Sequence, residues 1–200
     1  MSTTEHAAQS HHLPAVVVAD QQRRAVLLFI LGDAVFFGCL VFSYLYLRSL
    51  DVSHGWLPAD AHTASRPFTW AVAAVTVLSA AAYWQADKSI RAGNRGSFQT
   101  GVLGALLLAA VATAGLIVQI STWSILMSDG SYASAFIVMT WVQLVHLLIL
   151  LLVGVGIANR GRKGKFDDGN SNHVRVVGYF WYWVTVTSVV GALTTTLFVG

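Results

Sequence analysis

The sequence predicts an all-α, polytopic membrane protein whose five transmembrane helices form one bundle. Three observations carry this prediction. Hydrophobic residues make up 56% of the 200 residues and charged residues only 10%, whereas a soluble domain carries about 25% charged residues. The apolar residues gather into five stretches, each about as long as the 20 or so residues that cross a bilayer core. Finally, almost all of the basic residues fall in those connections that would lie on one side of the membrane.

The predicted helices are separated by short connections. They cover residues 25–47, 67–86, 101–127, 133–157 and 176–199. We interpret residues 1–22, which are largely polar, as a flexible tail and residues 23–200 as a single five-helix domain. Ser128, Asp129 and Gly130 are typical of a tight turn between the third and fourth helices. The longest connection, 48–66, is too short for a separate soluble core.

The basic residues indicate which way the bundle crosses the membrane. Ten of the twelve lie on the side of the N-terminus: Arg23, Arg24, Lys88, Arg91, Arg95, Arg160, Arg162, Lys163, Lys165 and Arg175. Because such residues stay in the cytoplasm, we predict a cytoplasmic N-terminus and an outside C-terminus. The net charge of +3 is therefore explained by basic residues in the cytoplasmic connections, and we expect no binding of nucleic acid.

Side-chain size and aromaticity predict how the helices pack. Small residues crowd the second and third helices, where they allow the close backbone approach that holds membrane helices together. We expect these faces to pack on other helices, either in this chain or in a partner. The aromatic residues 179–183 fall near the cytoplasmic face, where we interpret them as interface anchors.

Two ionisable residues lie well inside the predicted spans, Asp33 and His146. Such residues are costly in hydrocarbon and are candidate functional groups. Asp33 is about 12 Å and His146 about 18 Å from the cytoplasmic ends of their helices, at 1.5 Å per residue. Their depths differ by about one turn, so they could form a buried pair. The alternative is that each finds its own backbone or water partner.

Two glutamines are the other strongly polar groups in the spans, Gln119 and Gln143. Gln143 precedes His146 by three residues, which places both on one helix face. We expect both glutamines to support the polar interior. A single histidine in the spans excludes a haem held by two histidines, and one cysteine excludes an internal disulfide. From its chemistry alone, the chain is a bundle with no reaction centre and no metal site of its own.

Four patches resemble subunit III of the haem-copper terminal oxidases. Residues 31–38 resemble the family's helix with an acidic residue before paired apolar or aromatic residues, with Asp33 where Glu is usual. Gln119 and Trp123 resemble a Gln followed by an aromatic. Residues 140–146 are similar to a Thr-Gly-x-His-Gly-x-His pattern, in which His146 matches the last His and Gln143 replaces the first. Residues 180–185 resemble the family's closing aromatic segment.

The resemblance implies an accessory subunit of a cytochrome c oxidase in the bacterial plasma membrane, in the short five-helix form. Such a subunit holds no haem or copper, which belong to its partners, and is not itself catalytic. It packs on catalytic subunit I, beside subunit II and in some complexes subunit IV, binds phospholipid and supports proton uptake. Two related alternatives stay open: a quinol oxidase, or a homologue associated with nitric oxide reductase. An alternative of another class is a small ion or proton transporter component that uses Asp33 and His146.

Overall fold

The computed structural model describes residues 15–51, 55–58, 62–122, 125–166 and 171–199. They form the helices α1 (Ala15–Ser49), α2 (Arg66–Arg91), α3 (Arg95–Thr122), α4 (Ser131–Arg162) and α5 (Asn172–Leu197). All five are long and apolar enough to cross a membrane, and the described ranges contain no strand. The predicted all-α, five-helix fold is confirmed. Its orientation stays a prediction, so we call the end at which α1 begins the inner end and the opposite end the outer end.

Most of the helices are longer than their apolar stretches. Helix α1 begins at Ala15, so the last eight residues of the predicted tail are helical; residues 1–14 lie outside the described part of the chain. Helices α2 and α4 continue to Arg91 and Arg162. Apolar composition marks the part of a helix that lies in hydrocarbon, whereas backbone hydrogen bonding continues into the polar interface. Hydropathy therefore underestimated these helices.

Helix α3 ends at Thr122, five residues before its predicted end. Residues 126–129, which fall partly within the predicted helix, form a turn instead: the Asp129 carboxylate accepts a hydrogen bond from the Leu126 N–H at 2.8 Å. Gly130 then enters α4 with a φ of 110°, a conformation that favours glycine. Local side-chain bonds of this kind compete with the helix.

Small residues hold α2 and α3 together, and this is the most extensive helix pair of the bundle. Ala105, Ala109 and Ala112 of α3 are buried. At Gly101 a Cβ atom would lie 2.9 Å from the Cβ and 3.1 Å from the Cα of Ala86, so only glycine fits. The predicted packing faces of these two helices thus meet within the chain.

Trp181 joins α5 to the other helices of the core. It is fully buried, its ring stacks on Tyr83 with centroids 4.3 Å apart, and its Nε1–H donates to Ser79 Oγ at 3.0 Å. Gly154 of α4 makes room for it, because a Cβ there would lie 2.7 Å from Leu106 Cδ2 and 3.0 Å from the indole. Helices α2–α5 therefore form one tightly packed core.

Helix α1 lies at the edge of this core, where its contacts with the other described helices are mainly with α4 and α5. Among its described side chains, only Phe37 and Tyr44 are buried. Apolar packing therefore contributes little to its attachment, and polar contacts carry much of it.

Candidate functional site: a polar clasp between α1 and the core

Asp33 and His146 are in contact about midway along helices α1 and α4. The His146 Nε2 atom lies 3.1 Å from both carboxylate oxygens of Asp33. Trp183 of α5 adds a second donor, since its Nε1–H points to Asp33 Oδ2 at 2.5 Å. One carboxylate on α1 thus accepts hydrogen bonds from α4 and from α5. We call Asp33, His146 and Trp183 the central clasp.

The two ionisable side chains of the central clasp are mostly buried. The His146 side chain is 6% exposed and the Asp33 side chain 14%. The edge of the His146 ring faces Phe180, with centroids 6.4 Å apart. Two donors on one carboxylate offset part of the cost of burying it. The arrangement links three helices and fixes the rotation of α1.

The contact with Asp33 uses one ring nitrogen of His146, Nε2. Nε2 carries the hydrogen when it donates to an ionised Asp33 carboxylate, and Nδ1 is then the second ring nitrogen. Nδ1 is buried and has no hydrogen-bond partner in the described part of the chain. In a neutral ring it is an acceptor, and in a charged ring it is a donor. Chemically, the site can hold and position one proton between an imidazole and a carboxylate.

A second polar contact joins α1 to α5 at the inner end. The Asn172 amide NH₂ lies 3.1 Å from Gln22 Oε1 and 3.4 Å from the Ala19 carbonyl. Gln22 Nε2 also lies 3.3 Å from His173 Nε2. We call Gln22, Asn172 and His173 the inner clasp. It exists because α1 extends beyond its apolar stretch.

An aromatic cluster closes the outer end. Trp56 lies edge-on to Tyr44 and Tyr132, at centroid distances of 4.9 and 5.7 Å. Its Nε1–H donates to the Val199 carbonyl at 2.8 Å, and Tyr132 Oη accepts the Ala64 N–H at 3.0 Å. These contacts tie the loop after α1 to α4 and to the chain end.

The two glutamines do not join the central clasp. Gln119 Nε2 donates to Thr69 Oγ1 at 3.2 Å. Gln143 Nε2 donates to the Val184 carbonyl at 3.3 Å and its Oε1 accepts from Thr187 Oγ1 at 2.9 Å. Both instead line a chamber nearer the outer end. The structure therefore divides the predicted polar residues between two sites.

Sequence reasoning missed two residues. Trp183 belongs to the aromatic run 179–183 that predicted interface anchors, but its Nε1–H donates to Asp33 in the central clasp. Nothing in the sequence distinguishes it from the other aromatic residues of that run. Asp87 was placed in a loop, yet it is 6% exposed and pairs with Arg91 at 2.6 Å. The i, i+4 spacing of Asp87 and Arg91 is the signal that could have found this pair. Trp123, which carried part of the resemblance, lies outside the described residues.

Metal binding finds no support in the described part of the chain, where no three His, Cys, Asp or Glu side chains cluster. The fold and its polar contacts define the class: a helical membrane protein whose buried polar groups join helix to helix.

Comparison with known proteins identifies the family. The family model for cytochrome c oxidase subunit III matches residues 2–199. The cytochrome c oxidase subunit 3 of Rattus norvegicus is 29% identical over 187 residues, 88% of this chain and 67% of that protein. The subunit 3 of Corynebacterium diphtheriae is 24% identical over 165 residues, 80% of both chains. The chain belongs to the cytochrome c oxidase subunit III family, so the resemblance predicted from the sequence is confirmed.

Proposed function

We propose that this chain is the non-catalytic subunit III of a bacterial respiratory oxidase of the cytochrome c type. It packs on catalytic subunit I, next to subunit II and, where present, subunit IV, in the plasma membrane. Haem and copper reside in those partners. The observation that carries the proposal is the family match over almost the entire chain.

Within this role, the chain binds phospholipid and supports proton uptake by its partner. The large apolar side chains that α1 leaves exposed, among them Leu28, Leu31 and Phe42, support a surface covered by lipid or by another subunit. The central clasp holds that surface in place. We assign Asp33 and His146 this positioning role; the chain itself performs no redox step.

Purification through an affinity tag tests the proposal. The tagged chain is extracted from its own cells in a mild detergent, and the reduced-minus-oxidised absorbance of the eluate is recorded. We expect the eluate to show haem absorbance bands and to contain the catalytic subunit in the same molar amount as the tagged chain. The control is the same tag in cells that lack the catalytic subunit gene, where the bands should vanish. A folded chain that elutes alone and without haem from normal cells would refute the proposal.

The same preparation separates the related alternatives. Oxygen consumption with reduced cytochrome c supports the proposed type, whereas consumption only with a quinol indicates a quinol oxidase. Reduction of nitric oxide without oxygen consumption indicates the third alternative. The transporter alternative predicts proton or ion flux in liposomes that contain this chain alone. The direct contact of Asp33 with His146 favours a fixed pair over an open ion route.

The predicted orientation is tested in a variant in which Cys39→Ala removes the native thiol. A single cysteine is then introduced by Lys163→Cys or by Leu197→Cys. An impermeant thiol reagent added to intact cells should label the second variant and not the first. The reverse pattern would overturn the cytoplasmic placement of the N-terminus.

A further inference from the structure

A small chamber lies where all five helices converge, nearer the outer end than the central clasp. Its volume is about 40 Å³. Its lining comes from every helix: Phe37, Thr69, Val72, Leu116, Gln119, Phe136, Met139, Thr140, Gln143, Thr187, Ser188, Gly191, Ala192 and Thr195. Half of these fourteen residues are polar, and two of the seven are glutamines.

Gln119 carries an unsatisfied polar atom on the wall of this chamber. The residue is only 2% exposed, and its Oε1 atom is buried without a hydrogen-bond partner among the residues that the structure describes. Its amide nitrogen is already used by Thr69. Turning the amide by 180° would give the oxygen to Thr69 and leave the NH₂ group unpartnered, so either orientation leaves one polar group unsatisfied. Such a group is costly in the membrane interior.

Three hydroxyl groups on the wall have already committed their hydrogens. Thr140 donates to the Phe136 carbonyl at 2.8 Å, Thr195 donates to the Gly191 carbonyl at 2.8 Å, and the Thr187 hydroxyl donates to Gln143 Oε1. Each of these oxygens keeps a lone pair. These acceptors suit a small occupant that brings its own hydrogens.

We propose that the chamber is a binding site for a cluster of two or three water molecules anchored on Gln119. One buried water needs about 10–15 Å³ of such volume and two to four polar partners, and the chamber supplies both. A metal cation does not fit, because the described lining contains no charged side chain and its charge would stay uncompensated.

A groove of about 230 Å³ lies between α3 and α4, beside Leu126 and Met127. Gln119, Phe136 and Thr140 line both the groove and the chamber, so these three side chains form the wall that the two spaces share. Movement of these side chains would admit water from the groove without passage through the central clasp. This proposal does not depend on the proposed function.

Radiolytic footprinting of the full chain in native membranes tests the site. Hydroxyl radicals form from water in the X-ray beam and oxidise an adjacent methionine to its sulfoxide. Met139 lines the chamber and is 4% exposed, so it reacts only if water lies beside it. The matched dry control is Leu147→Met, since Leu147 is on the same helix, fully buried and in the apolar core. Met127, which is exposed, reports radical dose.

We expect Met139 to be oxidised severalfold faster than the methionine introduced at position 147. Gln119→Leu should lower the rate at Met139 to that of the dry control. Thr113→Val, at a buried threonine of α3 outside the chamber, should leave it unchanged. Equal rates at Met139 and position 147 would overturn the proposal. An unchanged Met139 rate in Gln119→Leu would overturn Gln119 as the anchor. If a variant fails to fold, the unaltered chain still tests the site: oxidation of Met139 at a rate comparable with that of Met127 supports water in the chamber, and no oxidation of Met139 overturns it.

Discussion

The forces that hold the core of α2–α5 together differ from those that attach helix α1 to it. The core relies on close contact: alanines and Gly101 between α2 and α3, and a buried Trp181 stacked on Tyr83. Helix α1 buries only two of its described side chains. It is attached by hydrogen bonds at the inner and central clasps and, at the outer end, by the Tyr44 hydroxyl, which donates to the Phe198 carbonyl at 3.4 Å. Lipid tails are as apolar as leucine, so burying apolar surface gives membrane helices little attraction. A peripheral helix therefore depends on specific polar partners.

The largest expected effect comes from breaking the central clasp. Asp33→Ala should lower the free energy of unfolding in detergent by about 3–5 kcal/mol, because removing one partner of a buried pair leaves the other uncompensated. Thermal unfolding with a probe on α1 measures this. The matched control is Asp20→Ala, which removes an exposed pair with Arg24 on the same helix and should cost under about 1 kcal/mol. Equal losses of unfolding free energy in both variants would mean that the buried pair of Asp33 stabilises the fold no more than the exposed pair of Asp20 does.

Under the proposed function, the same variant has a second consequence. Asp33→Ala should shorten the working life of the assembled oxidase during turnover and leave initial electron transfer intact, since the chain holds no haem or copper. Oxygen consumption followed over many turnovers measures both quantities. An immediate halt in a fully assembled complex would place Asp33 in proton movement itself.

The next effect concerns the core side of the comparison. Gly101→Val should destabilise the bundle by about 1–3 kcal/mol through overpacking, because the atoms it meets include the Ala86 backbone at 3.1 Å. Gly104→Val is the control on the same helix, where a Cβ meets nothing within 4 Å. Denaturant unfolding of the core should separate the two. Indistinguishable midpoints would show that α2 and α3 can move apart at no cost.

How far the sequence predicted these two regions follows from the same physics. Helix number and order depend on apolar length, which is visible in one dimension, and the depth of Asp33 and His146 can be counted along each helix. Which further side chain completes a clasp depends on helix rotation and tilt. Trp183 was therefore missed, and Gln143 was grouped with His146 although its bonds run to Val184 and Thr187. The inner ends of α1, α2 and α4 were missed because polar interfacial residues carry no apolar signal, and the end of α3 because a local turn interrupts an apolar stretch.

A smaller effect comes from removing one donor of the central clasp. Trp183→Phe keeps the ring but deletes the bond to Asp33 Oδ2, and hydrogen bonds between membrane helices average about 0.6 kcal/mol with a maximum near 1.7. We expect a loss within this range by thermal unfolding. Trp84→Phe is the control, because Trp84 is exposed. A loss as large as that of Asp33→Ala would mean that Trp183, rather than His146, dominates the clasp.

The smallest effect belongs to the inner clasp, which makes the same kind of bond at a different depth. Asn172→Ala removes the bonds to Gln22 Oε1 and the Ala19 carbonyl, but both partners can then bind interfacial water. Because water competes there and is excluded at the central clasp, we expect a loss under about 0.5 kcal/mol, the low end for an intramolecular hydrogen bond. The loss should appear as local hydrogen exchange in residues 15–24 rather than in global unfolding. Global destabilisation comparable with Asp33→Ala would show that α1 is held from its inner end.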